Sequence, residues 1–172
     1  GSDFYPLAAA SVHGIIIAPN AMANVSGSFL VNASVNSSAT VAKVNLTVWN
    51  NTGNATGLVP MSLGAGSTTT GWWNVTFDST TLLTDGFYNL SVNGTNVDGI
   101  INISKNVSVL VDNTKANVTG VAPVNDSTQS GIMVINASVN DSLSRVLNAT
   151  FRIVSPGTAT AWIFATLGSG SI

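Results

Sequence analysis

Val31-Asn32-Ala33-Ser34-Val35-Asn36-Ser37 returns, barely altered, as Ile135-Asn136-Ala137-Ser138-Val139-Asn140-Asp141, 104 residues later (135 minus 31). Each copy alternates apolar and polar side chains. That is the pattern of a half-buried β-strand, because successive side chains of an extended chain point to opposite faces. Each also sets two Asn-x-Ser sequons, the acceptor signal for N-glycosylation, on its polar side. A strand with one apolar face and one sugar-accepting face is therefore repeated within the chain.

The polar positions around these strands are filled almost without charge. Only 7% of the 172 residues are charged, against about a quarter in ordinary soluble proteins, and Glu and Cys are absent. Sixteen of the twenty Asn lie in sequons: Asn24, Asn32, Asn36, Asn45, Asn50, Asn54, Asn74, Asn89, Asn93, Asn102, Asn106, Asn117, Asn125, Asn136, Asn140 and Asn148. Sequons matter only on an exported chain, so their density predicts an extracellular, N-glycosylated cell-surface protein whose solubility rests on sugar. Scarce carboxylates fit an acidophilic archaeal surface, where they would sit protonated, and equally a neutral habitat under dense glycan. Without Cys there is neither a disulfide framework nor a metal–thiolate site. The longest aliphatic run, Ile15-Ile16-Ile17-Ala18, is far too short to cross a bilayer, and a mature chain without membrane insertion is expected.

Residues 1–11 stand outside the repeat as a semi-apolar leader. Strand signals then follow at 12–17, 28–36, 41–49, 58–63, 72–77, 87–93 and 101–111, with polar turns between them and no sustained helical period. Seven short strands in about 100 residues predict an all-β sandwich with negligible helix.

The sequons test this assignment, since a glycosylated Asn must face solvent and its strand neighbours must then face the core. Asn32 and Asn36 outward put Phe29, Val31, Ala33 and Val35 inward. Asn45 outward leaves Val44, Leu46 and Val48 inside, and Asn74 outward leaves Trp73, Val75 and Phe77. Asn89 and Asn93 outward bury Tyr88, Leu90 and Val92. Asn102 and Asn106 outward point Ile101, Ile103, Val107, Val109 and Val111 inward, with Lys105 breaking the alternation at an expected bulge or strand edge. Both outer faces are thus predicted to carry sugar.

Leu82, Asp85 and Tyr88 resemble the tyrosine corner of immunoglobulin-like domains, with Leu90 where antibody domains carry cysteine. Val111-Asp112-Asn113-Thr114 is similar to the strand end and linker of tandem prokaryotic Ig-like repeats, although Ala116 replaces the usual proline. Val121-Ala122-Pro123 with Ser127 and Ser130-Gly131 resembles the opening of the next repeat. The resemblance implies a complete Ig-like β-sandwich over 12–115 and a second Ig-like module over 116–172.

The second copy matches the first as far as Leu167-Gly168-Ser169-Gly170, the counterpart of Leu63-Gly64-Ala65-Gly66. Counterparts of 72–111 do not follow, so an incomplete module of strands A to D is expected. Its inward set, including Met133, Ile135, Val139, Phe151 and Ile153, forms an acceptor groove for a strand from a neighbouring subunit. The leader, in which Phe4, Tyr5 and Leu7 echo Phe87, Tyr88 and Leu90, is the expected donor. The arrangement resembles donor-strand-complemented archaeal threads and pili, which implies a head-to-tail homopolymer of identical subunits serving adhesion or biofilm. The alternative is a piece of a tandem Ig-like adhesin or surface-layer stalk. A carbohydrate-binding module comes third, with Trp49 and Trp72 as outward platforms, Trp73 in the core and Trp162 in the core or the joint.

Catalytic residues are not predicted: His13 is the only histidine and the seven Asp are scattered through turns. No cofactor is expected beyond N-linked glycan. A calcium site would need Asp112 and Asn113 with Asp78, Asp98 or Asp141, residues better suited to capping turns. Lys43, Lys105, Lys115, Arg145 and Arg152 are too few and too dispersed to bind nucleic acid.

Overall fold

The computed structural model describes residues 10–155 and 157–168. The proposed donor residues Phe4, Tyr5 and Leu7 lie outside these. The chain divides into two compact units that meet at Asn113 and Thr114.

The first unit contains β1 (Val12–Ala18), β2 (Ala23–Val25), β3 (Ser28–Ser37), β4 (Val41–Asn50), β5 (Gly53–Asn54), β6 (Val59–Pro60) and β7 (Ser62–Gly66). They are followed by β8 (Thr70–Asp78), β9 (Gly86–Asn96), β10 (Ile101–Ile103) and β11 (Val107–Val111). One sheet runs β1-β3-β8-β7 and the other β2-β11-β9-β4-β5, with β10 attached to β9 and β6 to β4. In immunoglobulin lettering these are strands A-B-E-D facing A′-G-F-C, so the first unit is an Ig-like β-sandwich. Apart from one 3₁₀ turn, Ser79–Thr81, its regular structure among the described residues is strand.

The period-two pattern becomes a core because each sheet turns one face to the other. Val31, Ala33 and Val35 of β3 meet Val44, Leu46 and Val48 of β4 and Leu90 and Val92 of β9, all fully or almost fully buried. Each large side chain so buried contributes about 1.5–3 kcal/mol. Phe29 and Phe77 close one end edge-to-face, ring centroids 5.7 Å apart. Gly94 occupies an inward position of β9 because the sheets approach closely there: an added Cβ would lie 3.1 Å from Val12 Cγ1.

Tyr88 is buried at the start of β9, and its hydroxyl donates to the carbonyl of Thr84 at 2.7 Å, the geometry that a tyrosine corner requires. Tyr88→Phe leaves that carbonyl without its partner while preserving the ring. It is expected to lower unfolding free energy by about 0.5–1.5 kcal/mol in denaturant titration.

Three expectations are corrected. The segment 58–63 is two strands on opposite sheets. Met61 is buried between them and donates its N–H to Val44 at 2.9 Å as the chain crosses over. The span 101–111 is also broken in two. Ile103 pairs with Asn93, but Val107 pairs with Leu90, so four steps on one strand match three on the other. Ser104 still pairs with Val92, donating its N–H to Val92 O and accepting from Val92 N at its Oγ, so the extra residue falls at Lys105–Asn106, opposite Ser91, in line with the break expected at Lys105. The bulge reverses parity, leaving Ile101 and Ile103 outward at 59% and 62% exposure and Asn102 opposite the inward Gly94. Last, the short strand β2 was not foreseen. It pairs in parallel with β11 after the chain leaves β1 and changes sheet.

The second unit contains β12 (Asn117–Ala122), β13 (Asn136–Asn140), β14 (Thr150–Phe151), β15 (Val154–Ser155), β16 (Thr158–Ala159) and β17 (Ile163–Phe164). β12 pairs with β13 in the register of β1 with β3. Asn117↔Asn140 corresponds to His13↔Asn36, and Gly120↔Ala137 to Ile16↔Ala33, every residue displaced by 104, including the bulge before Ala122 or Ala18. Met22 and Asp126, also 104 apart, both take positive φ, 63° and 61°. The repeat is therefore one of backbone geometry as well as of sequence.

Candidate functional site

Two surface features stand out: the sequon-bearing faces of the sandwich and the uncovered strands of the second unit.

On the β1-β3-β8-β7 sheet, Asn32 lies directly opposite Asn74, and His13 opposite Asn36, in rows across the outer face. On the other sheet the outer row Ser108, Asn89, Trp49 and Asn54 crosses β11, β9, β4 and β5. The asparagine side chains present their amides in a consistent way. In Asn50 the Oδ1 accepts from Thr52 N–H at 2.9 Å and Thr52 Oγ1 at 2.7 Å. In Asn54 it accepts from Thr56 and Gly57 N–H at 3.0 and 2.9 Å, and in Asn89 from Ser108 Oγ. In Asn32 and Asn93 the Oδ1 is the buried atom. Each arrangement leaves Nδ2, the atom that bonds to sugar, as the freer end. Asn96 and Asn113, which are not in sequons, have Nδ2 buried or bonded inward to Ser79 O. Asn125 and Asn74 differ: Asn125 Nδ2 donates to Asp126 at 2.9 Å, and Asn74 Nδ2 packs over Gly64.

Asn24, Asn36, Asn54, Asn106, Asn117, Asn125, Asn136, Asn140 and Asn148 are exposed, and Asn32, Asn50, Asn74, Asn89, Asn93 and Asn102 are half-buried. Asn45 departs from expectation: it faces outward yet is only 8% exposed. It sits mid-sheet with Asn93 on one side and Pro60 on the other, and these neighbours close over it. Asn102 points toward the inner side because of the bulge at Lys105–Asn106. These two sites correct the expectation of sugar at every sequon of this face.

Trp49 and Trp72 are outward, at 39% and 44% exposure, and Trp73 is buried. Trp162 is neither core nor covered by strand: it is exposed, with the Arg152 guanidinium 4.8 Å from its ring centroid.

Asp78 and Asp141 cap turns. Asp78 accepts from Thr80 Oγ1 and Thr80 N–H at 2.7 and 3.0 Å, and these bonds hold its carboxyl below the usual carboxylate range. Asp141 is lowered in the same direction by the backbone N–H groups of Leu143 and Ser144. A depressed carboxylate stabilises the fold above its unfolded value and loses that effect as pH falls through the folded one. Asp78→Asn is accordingly expected to remove part of the stability that the native chain loses on acidification below about pH 4, measured as a flatter melting-temperature profile there. Among the described residues no group of three or more His, Asp, Glu or Cys is placed to hold a metal ion, and no helix is long and apolar enough to cross a membrane.

The second unit has no buried residue among those described. Val31, Ala33 and Val35 are sealed in the first unit, whereas Ile135 and Ala137 are exposed and Val139 half-buried. The cause is missing neighbours. In the first unit β3 has β8 on its other edge and β4 is flanked by β9. Among the described residues β13 pairs only with β12, and the counterpart of the ten-residue β4 shrinks to the two residues of β14. Met133, Ile135 and Ile153 are exposed, and Phe151 is half-buried on β14, opposite Ile163. The structure does not join β13 and β14 into one sheet.

One comparison, with protein-family models, agrees with the architecture of the first unit. Residues 15–92, which run from β1 into β9, match the family model described as a bacterial Ig domain. A solved structure of the fibronectin(III)-like modules of Clostridium thermocellum CbhA is similar at 21% identity and a TM-score of 0.38, over 81% of this chain and 66% of that one. No curated protein matches the sequence. The matched stretch lies within the Ig-like sandwich of the first unit.

Proposed function

We propose that the protein is a non-catalytic structural subunit of an N-glycosylated extracellular filament, polymerised head-to-tail when a strand from one copy completes the second unit of the next. The observation that carries this reading is the contrast between two backbones in the same register: β1 with β3 lies over a sealed core, and β12 with β13 over none. An uncovered apolar face and unpaired strand edge are costly in water, and a covering strand relieves both. Burying five or six side chains yields on the order of 10 kcal/mol before ordering costs, enough for a durable joint. Sequons on both outer faces favour contact at the ends of the subunit over contact at its sides. Match to a bacterial Ig domain model is in keeping with display at the cell surface.

The second reading is a stalk or adhesin in which the same polypeptide supplies the completing strands, and the tandem register of the two units favours it equally. Native mass and gel behaviour separate the two. A native chain near 17.5 kDa of polypeptide with denaturant-resistant ladders is expected for the filament. A much longer polypeptide without ladders replaces the filament with the stalk. A synthetic peptide of residues 3–11 is expected to bind the second unit and shorten the ladder.

A further inference from the structure

The two outward tryptophans of the sandwich, Trp49 and Trp72, both stand among sequons. Trp49 lies directly across from Asn89 on one side and from Asn54 on the other. Side chains so paired on one face of a sheet have Cβ atoms about 4.5–5.5 Å apart. Its indole N–H donates to Ser91 Oγ at 3.1 Å, which pins the ring and satisfies its only polar atom. What remains exposed is apolar ring face. On the opposite sheet Trp72 is two residues from Asn74, on the same side of β8, and faces Ser34, whose neighbours Asn32 and Asn36 flank it on β3. Same-face neighbours along a strand are about 6.5–7 Å apart. The indole of Trp73, which points inward, has no such surroundings.

We propose that Trp49 and Trp72 are stacking platforms for the protein's own N-linked glycans, Trp49 for sugar on Asn54 and Asn89 and Trp72 for sugar on Asn32, Asn36 and Asn74. The proposal rests on the glycosylation reading above and adds where the sugar lies. A pyranose offers an apolar face of C–H groups, and an indole offers a flat surface that is poorly hydrated. Sheet geometry sets the Cβ atoms of these asparagines about 4.5–8 Å from those of the tryptophans, a span on the scale of one sugar ring. At Asn89 the Oδ1 is held by Ser108 on the side away from Trp49, which turns Nδ2 away from β11. At Asn74 the amide leans over Gly64, where an added Cβ would collide with Nδ2, so the glycine leaves room for the side chain. The glycans serve here as an outer layer of the sheet, covering apolar surface that an unmodified chain exposes.

Hydroxyl-radical footprinting read by peptide mass spectrometry tests this residue by residue and reports sequon occupancy on the same peptides. The native chain is compared with the same chain made in a host that attaches no N-glycan. Trp49 and Trp72 are expected to oxidise several-fold more slowly in the native chain, while Leu83, exposed and away from the sequons, oxidises equally in both. Replacing Asn54 and Asn89 by Gln is expected to restore oxidation at Trp49 and leave Trp72 protected. Occupied sequons with equal oxidation of Trp49 and Trp72 in both chains overturn the stacking while glycosylation stands. Unoccupied sequons overturn both.

Discussion

Val35→Asp is expected to unfold the first unit, whereas Val139→Asp, the same change 104 residues later, is expected to leave the melting of the first unit unaltered and to abolish the polymer that the proposed function requires. Val35 is fully buried between the sheets, beside Gly94 and among Val12, Val31 and Ala33. A carboxylate there finds no partner, and burying it, ionised or protonated, costs more than about 4 kcal/mol, a large part of a typical domain's stability. Val139 sits at the equivalent register position opposite Val118, yet it is partly solvated. Its carboxylate stays in water in the free chain, and the cost is within about 0.5 kcal/mol. On the proposed assembly a donated strand would cover the groove and bury the same carboxylate, so the cost would reappear in assembly. Thermal melting by circular dichroism reads the first effect and denaturant-resistant ladders read the second. A ladder that survives Val139→Asp removes the acceptor groove from this face, and a Val35→Asp chain that melts like the native one removes Val35 from the core.

Asn113→Ala is expected to lower the unfolding free energy by about 2–4 kcal/mol, since it leaves several polar groups without partners at once. The Oδ1 of Asn113 accepts from Gly27 N–H and Ser79 Oγ, both at 2.9 Å, and its Nδ2 donates to Ser79 O at 3.2 Å. Its own N–H donates to Asp85 at 3.0 Å. One side chain thus ties together the turn before β3, the 3₁₀ turn after β8 and the end of β11, at the point where the chain leaves the sandwich. For a domain of about 100 residues the loss amounts to a fall of several degrees per kcal/mol in melting temperature. Asn113→Asp keeps the acceptor but loses the donation to Ser79, and is expected to recover part of the difference. A melting temperature unchanged by Asn113→Ala would show that the knot is incidental.

Much of the sandwich could be read from periodicity alone. Each inward set on β3, β4, β8 and β9 is where alternation puts it, because side-chain direction in a strand depends only on counting by two. That count fails where the backbone absorbs an extra residue. Ile101 and Ile103 look like core in sequence and are surface in fact, since the bulge at Lys105–Asn106 shifts the ladder by one. Lys105 marks where the alternation breaks, but not that Ile101 and Ile103 therefore turn outward; the pairings of Ile103 with Asn93 and of Val107 with Leu90 decide that. Asn45 misled for a related reason. Its direction is local, but its burial is set by Asn93 and Pro60, distant in sequence.

The sequence by itself determined that this is an all-β chain with a repeated strand, a tyrosine corner and polar faces built from sequons, because these follow from side-chain alternation and short motifs. Tertiary structure alone decided which sheet each strand joins, that Asn113 locks the end of the first unit, and that Trp49 stands between Asn54 and Asn89. It also separated two nearly identical strands: Val31 to Ser37 is sealed and Ile135 to Asp141 is open. The physical reason is that a strand's period specifies which face is apolar, whereas burial requires a second sheet, and that sheet comes from elsewhere in the fold.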